Sequence, residues 1–329
     1  MRPRILASSL IVGAVVASGL WAAISPGVAP PRTLAATAHA PAGNWSIVPN
    51  TGSITLNSVD MVSPGEGWAV GEQGTIAHYS GGTWQVVNSA FEGPILNSVS
   101  MASAGEGWAV GNGGTMAHCT GGTWQFVAPP AGNRLQSVYS LSATEAWAVG
   151  DYIIHYKDGA WQQVNSPAAG NRLNGVAMLS VDEGWAVGNE GTVLHYTGGQ
   201  WALVRTQHNT ALTAISMVSP SEGWAVGIPG VILHYDGSTW QSVTSPTTDP
   251  LFSVSATSSR DVWATGLGGL LLHYDGNSWE TVTAPVAASY KSISIASAFD
   301  GMAVGSGGVV LRYHRDATRM FLPVVTKGQ

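Results

Sequence analysis

Six histidines recur at near-constant intervals, His78, His118, His155, His195, His234 and His273, and Arg312 takes the seventh place of the series. A second series is acidic: Glu66, Glu106, Glu145, Glu183, Glu222, Asp261 and Asp300. Imidazoles and carboxylates are the groups that hold metals and move protons. Ligands of one metal must converge within a few ångströms, though, and residues placed once per repeat unit are spread apart. Both series therefore read as structural. Each His is expected to be buried, its ring hydrogen-bonded within its own unit. Each acid is expected to close a tight turn. A serine stands three residues before it (Ser63, Ser103, Ser142, Ser180, Ser219, Ser258 and Ser297), and hydroxyl and carboxylate together would satisfy the turn's backbone donors in the manner of a capping box. Nucleophile and phosphate motifs are absent: the sequence has no GxSxG, HExxH or P-loop, and Gly111–Gly114 is a turn with no helix after it. No catalytic residue, metal or cofactor is expected.

The elements that carry these series are repeats. GWAVG begins at Gly67, Gly107, Gly184 and Gly223, with variants at Ala146, Val262 and Gly301. Its aromatic position runs Trp68, Trp108, Trp147, Trp185, Trp224, Trp263 and then Met302, at spacings of 38 to 40 residues. Each unit holds four short apolar runs separated by turn residues, as in LNGVAML, GWAVG, TVLHY and QWALV of the fourth unit. Four strands per period near 40 residues mark a propeller blade, so the chain is expected to be all-β, a seven-bladed β-propeller of four-stranded antiparallel blades. The fourth-strand Trp occurs at Trp84, Trp124, Trp161, Trp201, Trp240 and Trp279, and the seventh unit lacks it. The missing copy is Trp45, ahead of the first unit and in register with it. The N-terminal strand is thus expected to complete the last blade and remove an open edge. A rival for that slot, MFLPVV near the C-terminus, is weakened by Pro323, which has no ladder donor.

Composition agrees. Only 10% of the residues are charged, against 42 Gly and 14 Trp in 329 residues, which suits short strands and buried faces. Residues 1–40 read as a signal peptide: Arg2 and Arg4, an uncharged run from Ile5 to Ile24, then small-residue cleavage candidates at Ala36–Ala38 and Ala38–Ala40. The run is long enough for an N-terminal anchor to be the alternative. Without that segment ten basic residues face 19 acidic ones, a formal charge of −9, which argues against nucleic acid and anionic lipid as partners. Cys119 is the only cysteine, so packing must replace disulfides. The domains expected are residues 1–40, the propeller at 41–314 and a tail at 315–329.

GWAVG, the following G-T-I or G-T-V, and GGTW (Gly81 to Trp84, Gly121 to Trp124) resemble the propellers of the photosystem II assembly and stability factor family, and more distantly the bacterial neuraminidase (Asp-box) repeat. The resemblance covers residues 44 to 314. It implies an exported, non-enzymatic scaffold that binds a membrane-protein precursor. In HYSGGTW the acidic turn residue of that pattern is replaced. Asp-box sialidases need a convergent arginine cluster, a Tyr nucleophile and acidic partners, and no such set stands out here.

What differs between blades points to function. The second-to-third-strand loops and the between-blade loops share one face. There the residue after VG or TG reads Glu72, Asn112, Asp151, Asn189, Ile228, Leu267 and Ser306, polar along one arc and apolar opposite. The between-blade loops beside the polar arc carry Arg134, Arg172, Arg205 and His208. The expected binding surface is this face, with Glu72, Asn112, Arg134, Asp151, Arg172, Asn189, Arg205 and His208 contacting a protein or membrane-protein partner. The expected protein is a monomeric, extracytoplasmic, non-catalytic scaffold. The alternative is a carbohydrate-binding or glycosidase-related cell-surface propeller.

Overall fold

Period-two alternation and paired glycines turn each repeat unit into a meander of four antiparallel strands. A computed structural model describes residues 43–49, 52–87, 93–168 and 170–315. In blade 1 the strands are Leu56–Ser63, Glu66–Gly71, Ile76–Ser80 and Thr83–Val87, each bonded to the next. Five further sheets repeat this order. The seventh combines Tyr290–Ser297, Asp300–Gly305 and Val310–His314 with Asn44–Ile47 from the other end of the described chain. Its closing pairs are Asn44 with His314, Trp45 with Tyr313 and Ile47 with Leu311. The expected seven-bladed ring closed by the N-terminal strand is the observed one. The signal or anchor, its cleavage candidates and MFLPVV lie outside the described residues.

The first strands touch one another all round the ring and line its centre. Each second-strand Trp is fully buried and meets the fourth-strand Trp of the next blade edge to face. Trp68 lies 5.5 Å from Trp124, and the series ends with Trp263 at 5.4 Å from Trp45, so the closing strand makes the contact that internal strands make. Large faces small, as the alternation in GWAVG requires: Trp68, Val70 and Ile76 of blade 1 pack on Ala109 and Ala117 of blade 2. The glycine that ends each second strand is fixed by proximity. A Cβ on Gly71 would lie 2.1 Å from the carbonyl oxygen of Thr55.

Polar stitches join the inner strands. Ser58 Oγ accepts the backbone N–H of Val99 (3.1 Å), Ser98 that of Val138 (3.2 Å), Ser253 that of Ile293 (3.2 Å) and Ser292 that of Val59 (3.2 Å). Two residues on, Asp60, Ser100, Ser216, Ser255 and Ser294 repeat the bond at 2.7–3.1 Å. Blade 4 has Gly175 and Ala177 at these places, and blade 5 has Ala214 at the first. The second residue of the strand makes another bridge: Asn57, Asn97 and Asn174 amides and the Thr213 hydroxyl donate to the carbonyls of Leu96, Leu135, Leu212 and Leu251 of the next blade.

Candidate functional site

The two faces of the ring use their polar side chains differently. The lower face carries the first-to-second and third-to-fourth turns. There the His and acid series prove to be one device. His118 Nε2 lies 2.6 Å from Glu106 Oε1, His195 2.6 Å from Glu183, His234 2.8 Å from Glu222 and His273 2.8 Å from Asp261. His78 with Glu66 and His155 with Glu145 complete the set. Each imidazole also stacks on its blade's second-strand Trp, with centroids 3.8–4.3 Å apart. The rings are hydrogen-bonded within their own blades, as expected, but they are partly exposed at 17–30% rather than buried.

The acids do not cap turns. They sit opposite the third strand, and their oxygens face its imidazoles. The serine half of that expectation does hold: Ser63, Ser142, Ser180, Ser219, Ser258 and Ser297 hydroxyls each accept the N–H two residues on. Burial acts to raise the Asp261 carboxyl, but hydrogen bonds from His273 and Thr257 outweigh it and hold it below its ordinary value. In blade 7, Arg312 replaces His and Met302 replaces Trp. The guanidinium donates Nε and Nη2 to Asp300 Oδ2 (3.0 and 2.7 Å) and Nη1 to the Tyr79 hydroxyl of blade 1 (3.2 Å). That exchange puts a polar tie across the junction where the ring closes. Among the described residues no three His, Cys, Asp or Glu cluster as a metal site. Cys119 is fully buried, and burial raises its thiol to about 11.

The upper face carries the loops singled out in the sequence. Glu72–Gly74 is a 3-10 turn in which Gln73 and Gly74 are left-handed (φ 55° and 67°), and the Glu72 N–H donates to Thr55 O. Asn112 Oδ1 accepts from Asn97 Nδ2 at 2.9 Å, and Asn189 Oδ1 accepts from Asn174 Nδ2 at 3.0 Å. The two loop asparagines thus hold the amides that bridge the inner strands. Asp151 Oδ1 accepts from Arg172 Nε (2.9 Å), and Oδ2 accepts the Arg134 backbone N–H (3.2 Å). His208 is fixed through its backbone by the Thr206 hydroxyl. Glu72 and Arg205 are exposed, Arg134 is half-buried, and none of their side chains enters an ion pair among the described residues. The structure therefore divides the eight named residues. Asn112, Asn189, Asp151 and Arg172 are engaged in holding loops, His208 is held through its backbone alone, and Glu72, Arg134 and Arg205 enter no ion pair among the described residues.

Two features were missed in the sequence. The second residue of the first strand is a bridging position in blades 1, 2, 4 and 5, and Gln136, Phe252 and Lys291 stand there in the others. Asp236 and Asp275, in HYDGSTW and HYDGNSW, restore the acidic turn residue that HYSGGTW lacks: Asp236 Oδ1 accepts the N–H groups of Ser238 and Thr239 (2.9 and 2.8 Å), and Asp275 Oδ1 those of Asn277 and Ser278 (2.8 and 3.1 Å). These bonds hold the exposed Asp236 carboxyl at about 2.

Residues 153–251 match the family model described as "Photosynthesis system II assembly factor YCF48". No curated protein matches the chain. Among solved structures, "YCF48 bound to D1 peptide" is 22% identical with a TM-score of 0.69, covering 83% of this chain and 95% of that one. "YCF48 from Cyanidioschyzon merolae" is 21% identical with a TM-score of 0.67, covering 82% and 98%. The WD40 propeller domain of Doa1 superposes as well, with a TM-score of 0.71 at 14% identity over 84% and 99%, so the structural likeness by itself speaks for the ring. The repeat motifs, the matched segment and that ring make the chain similar to the photosystem II assembly factor propellers.

Proposed function

We propose that the chain is a non-catalytic, extracytoplasmic binding propeller whose upper face takes a protein or membrane-protein partner. The observation that carries this reading is the charge that the upper-face loops keep outside any ion pair among the described residues. On the lower face seven carboxylates are matched with six imidazoles and one guanidinium inside the blades. On the upper face the charges of Glu72, Arg134 and Arg205 are left over from folding. Unspent charge on loops held by a rigid ring is what a recognition surface needs. A similar propeller has been solved as "YCF48 bound to D1 peptide", which supports a peptide-bearing partner. Arg2, Arg4 and the uncharged run from Ile5 to Ile24 support export.

The test is affinity capture from the native cell envelope with the full chain. Arg134→Ala and Arg205→Ala together should weaken capture of a specific protein at least about tenfold, about 1.4 kcal/mol, with melting unchanged. Arg172→Ala should act through its loop, since Asp151 already holds that side chain. Undiminished capture by the double variant would overturn the assignment of the face. Binding to a glycan array through the same residues would favour the carbohydrate-binding alternative.

A further inference from the structure

Two structural series both break in the sector of blades 5 to 7 on the upper face. The first is the bridging position of the inner strands. Asn57, Asn97, Asn174 and Thr213 each span to a carbonyl of the next blade, blade 3 has Gln136 there without that bond among the described residues, and blades 6 and 7 replace the donor amide or hydroxyl with Phe252 and Lys291. Phenylalanine has no donor, so the substitution gives up a bond that four other blades make. The second series is the first residue of the second-to-third-strand loop, polar in blades 1 to 4 and replaced by Ile228 in blade 5 and Leu267 in blade 6.

The breaks adjoin. These loops lie against the first strand of the following blade, as Leu267–Gly269 lies against Tyr290–Ser297. The Leu267 N–H donates to Pro250 O (3.1 Å), two residues before Phe252. The Gly268 N–H donates to Ser289 Oγ (3.4 Å), two residues before Lys291. Lys291 Nζ stands 4.7 Å from the centroid of the Phe252 ring. Ile228 and Leu267 are 38% and 46% exposed. Two solvent-facing aliphatic side chains, an aromatic ring and an ammonium with no ion pair among the described residues therefore lie on the inner upper rim of blades 5 to 7. Positions that elsewhere serve the fold have been given over to apolar and cationic groups.

We infer that this sector is an anchor subsite. Its occupant is a short segment of the partner that places an aromatic or branched aliphatic side chain on Ile228, Phe252 and Leu267, with an adjacent carboxylate at Lys291. Apolar surface supplies the burial, and the ammonium selects the charge beside it. The subsite rests on reading the upper face as a binding surface, but it uses blades 5 to 7 and none of the arginines.

The probe is a soluble Gly/Ser peptide with a central Phe-Asp, with Ser-Asp and Phe-Asn versions as controls. It is titrated into the full chain with methyl-labelled Ile and Leu and followed by NMR. The Ile228 and Leu267 methyl signals, identified by Ile228→Val and Leu267→Met, should shift with Phe-Asp. Ser-Asp should bind at least about tenfold more weakly, the worth of one buried apolar side chain. Phe-Asn should bind several-fold more weakly than Phe-Asp to the native chain and equally to Lys291→Gln. Leu267→Ser with Ile228→Ser should abolish the response without changing the melting temperature, since both residues are exposed. No shift up to about 1 mM peptide, equal responses to all three probes, or the same shifts arising from protein concentration alone would each overturn the subsite; the last would make the occupant a second copy of the chain. None of these results bears on the arginine variants, so the subsite can fail while the face stands.

Discussion

Replacing Trp45 with Ala tests the closure of the ring directly. The indole is 8% exposed, packs edge to face on Trp263 at 5.4 Å and lies 5.4 Å from Tyr313. Gly43 locks the strand's entry, since a Cβ there would lie 2.5 Å from Tyr313 Cε2. Truncating a buried Trp to Ala costs about 3–5 kcal/mol, a figure that already includes its aromatic pairs. For a domain of this size each kcal/mol lowers the melting temperature by about 2–4 °C, so a fall of at least about 6 °C is expected. Trp201→Ala is the internal control, because Trp201 holds the same place in blade 4 at 6% exposure. Thermal and urea unfolding followed by circular dichroism would compare the two. Closure predicts that Trp45→Ala costs at least as much as Trp201→Ala, because Asn44–Ile47 has no hairpin joining it to its blade. A loss below about 1 kcal/mol for Trp45→Ala beside a full loss for Trp201→Ala would refute the closing strand.

The inner-strand stitches can be removed and added. Ser255→Ala strips the acceptor from the Ile295 N–H and should cost about 1–3 kcal/mol, while Ala214→Ser offers an acceptor to Val254 and should gain about 0.5–1.5 kcal/mol, both read from chemical denaturation. No gain from Ala214→Ser would show that the inter-blade bond adds nothing over water. The Asp261 carboxyl titrates below its ordinary 3.8 in the folded chain, so near that pH the unfolded state binds more protons. Its stabilisation is therefore complete above about pH 4 and is lost as pH falls through the folded value. Asp261→Asn should flatten the acid limb of the stability–pH curve, and an unchanged limb would rule out the His273–Asp261 pair as its source.

The ring itself was legible because a propeller writes its architecture into spacing. Trp positions 38 to 40 residues apart gave the blade count, and the displaced Trp45 gave the closure. Spacing alone could not say what the His and acid series do, because their meaning lies in cross-strand register. Glu66 and His78 are 12 residues apart, as are five other acid–base pairs, while Glu145 and His155 are 10 apart because the intervening loop of blade 3 is shorter. That constant offset, kept even where Arg312 replaces His in blade 7, was the available signal that the two series are one. Read separately, each suggested a turn or a buried ring. Read as diagonal neighbours on adjacent strands, with the Trp opposite the His, they make a carboxylate–imidazole pair stacked on Trp.

The same logic sets the limit on the candidate site. Asn112 and Asn189 looked like recognition residues because they sit on loops and vary between blades, yet each holds an inner-strand amide. Variation alone therefore does not separate a fold-holding residue from a free one. What separates them is whether the repeat's own bond is kept or given up. Asn97 and Asn174 keep it, and Phe252 gives it up. A residue that abandons a stabilising bond made elsewhere in the ring needs some other reason for its place. Phe252 and Lys291 do this beside Leu267, in the sector that also exposes Ile228, which makes blades 5 to 7, more than the hydrogen-bonded asparagines of blades 2 and 4, the part of the upper face that folding leaves unexplained.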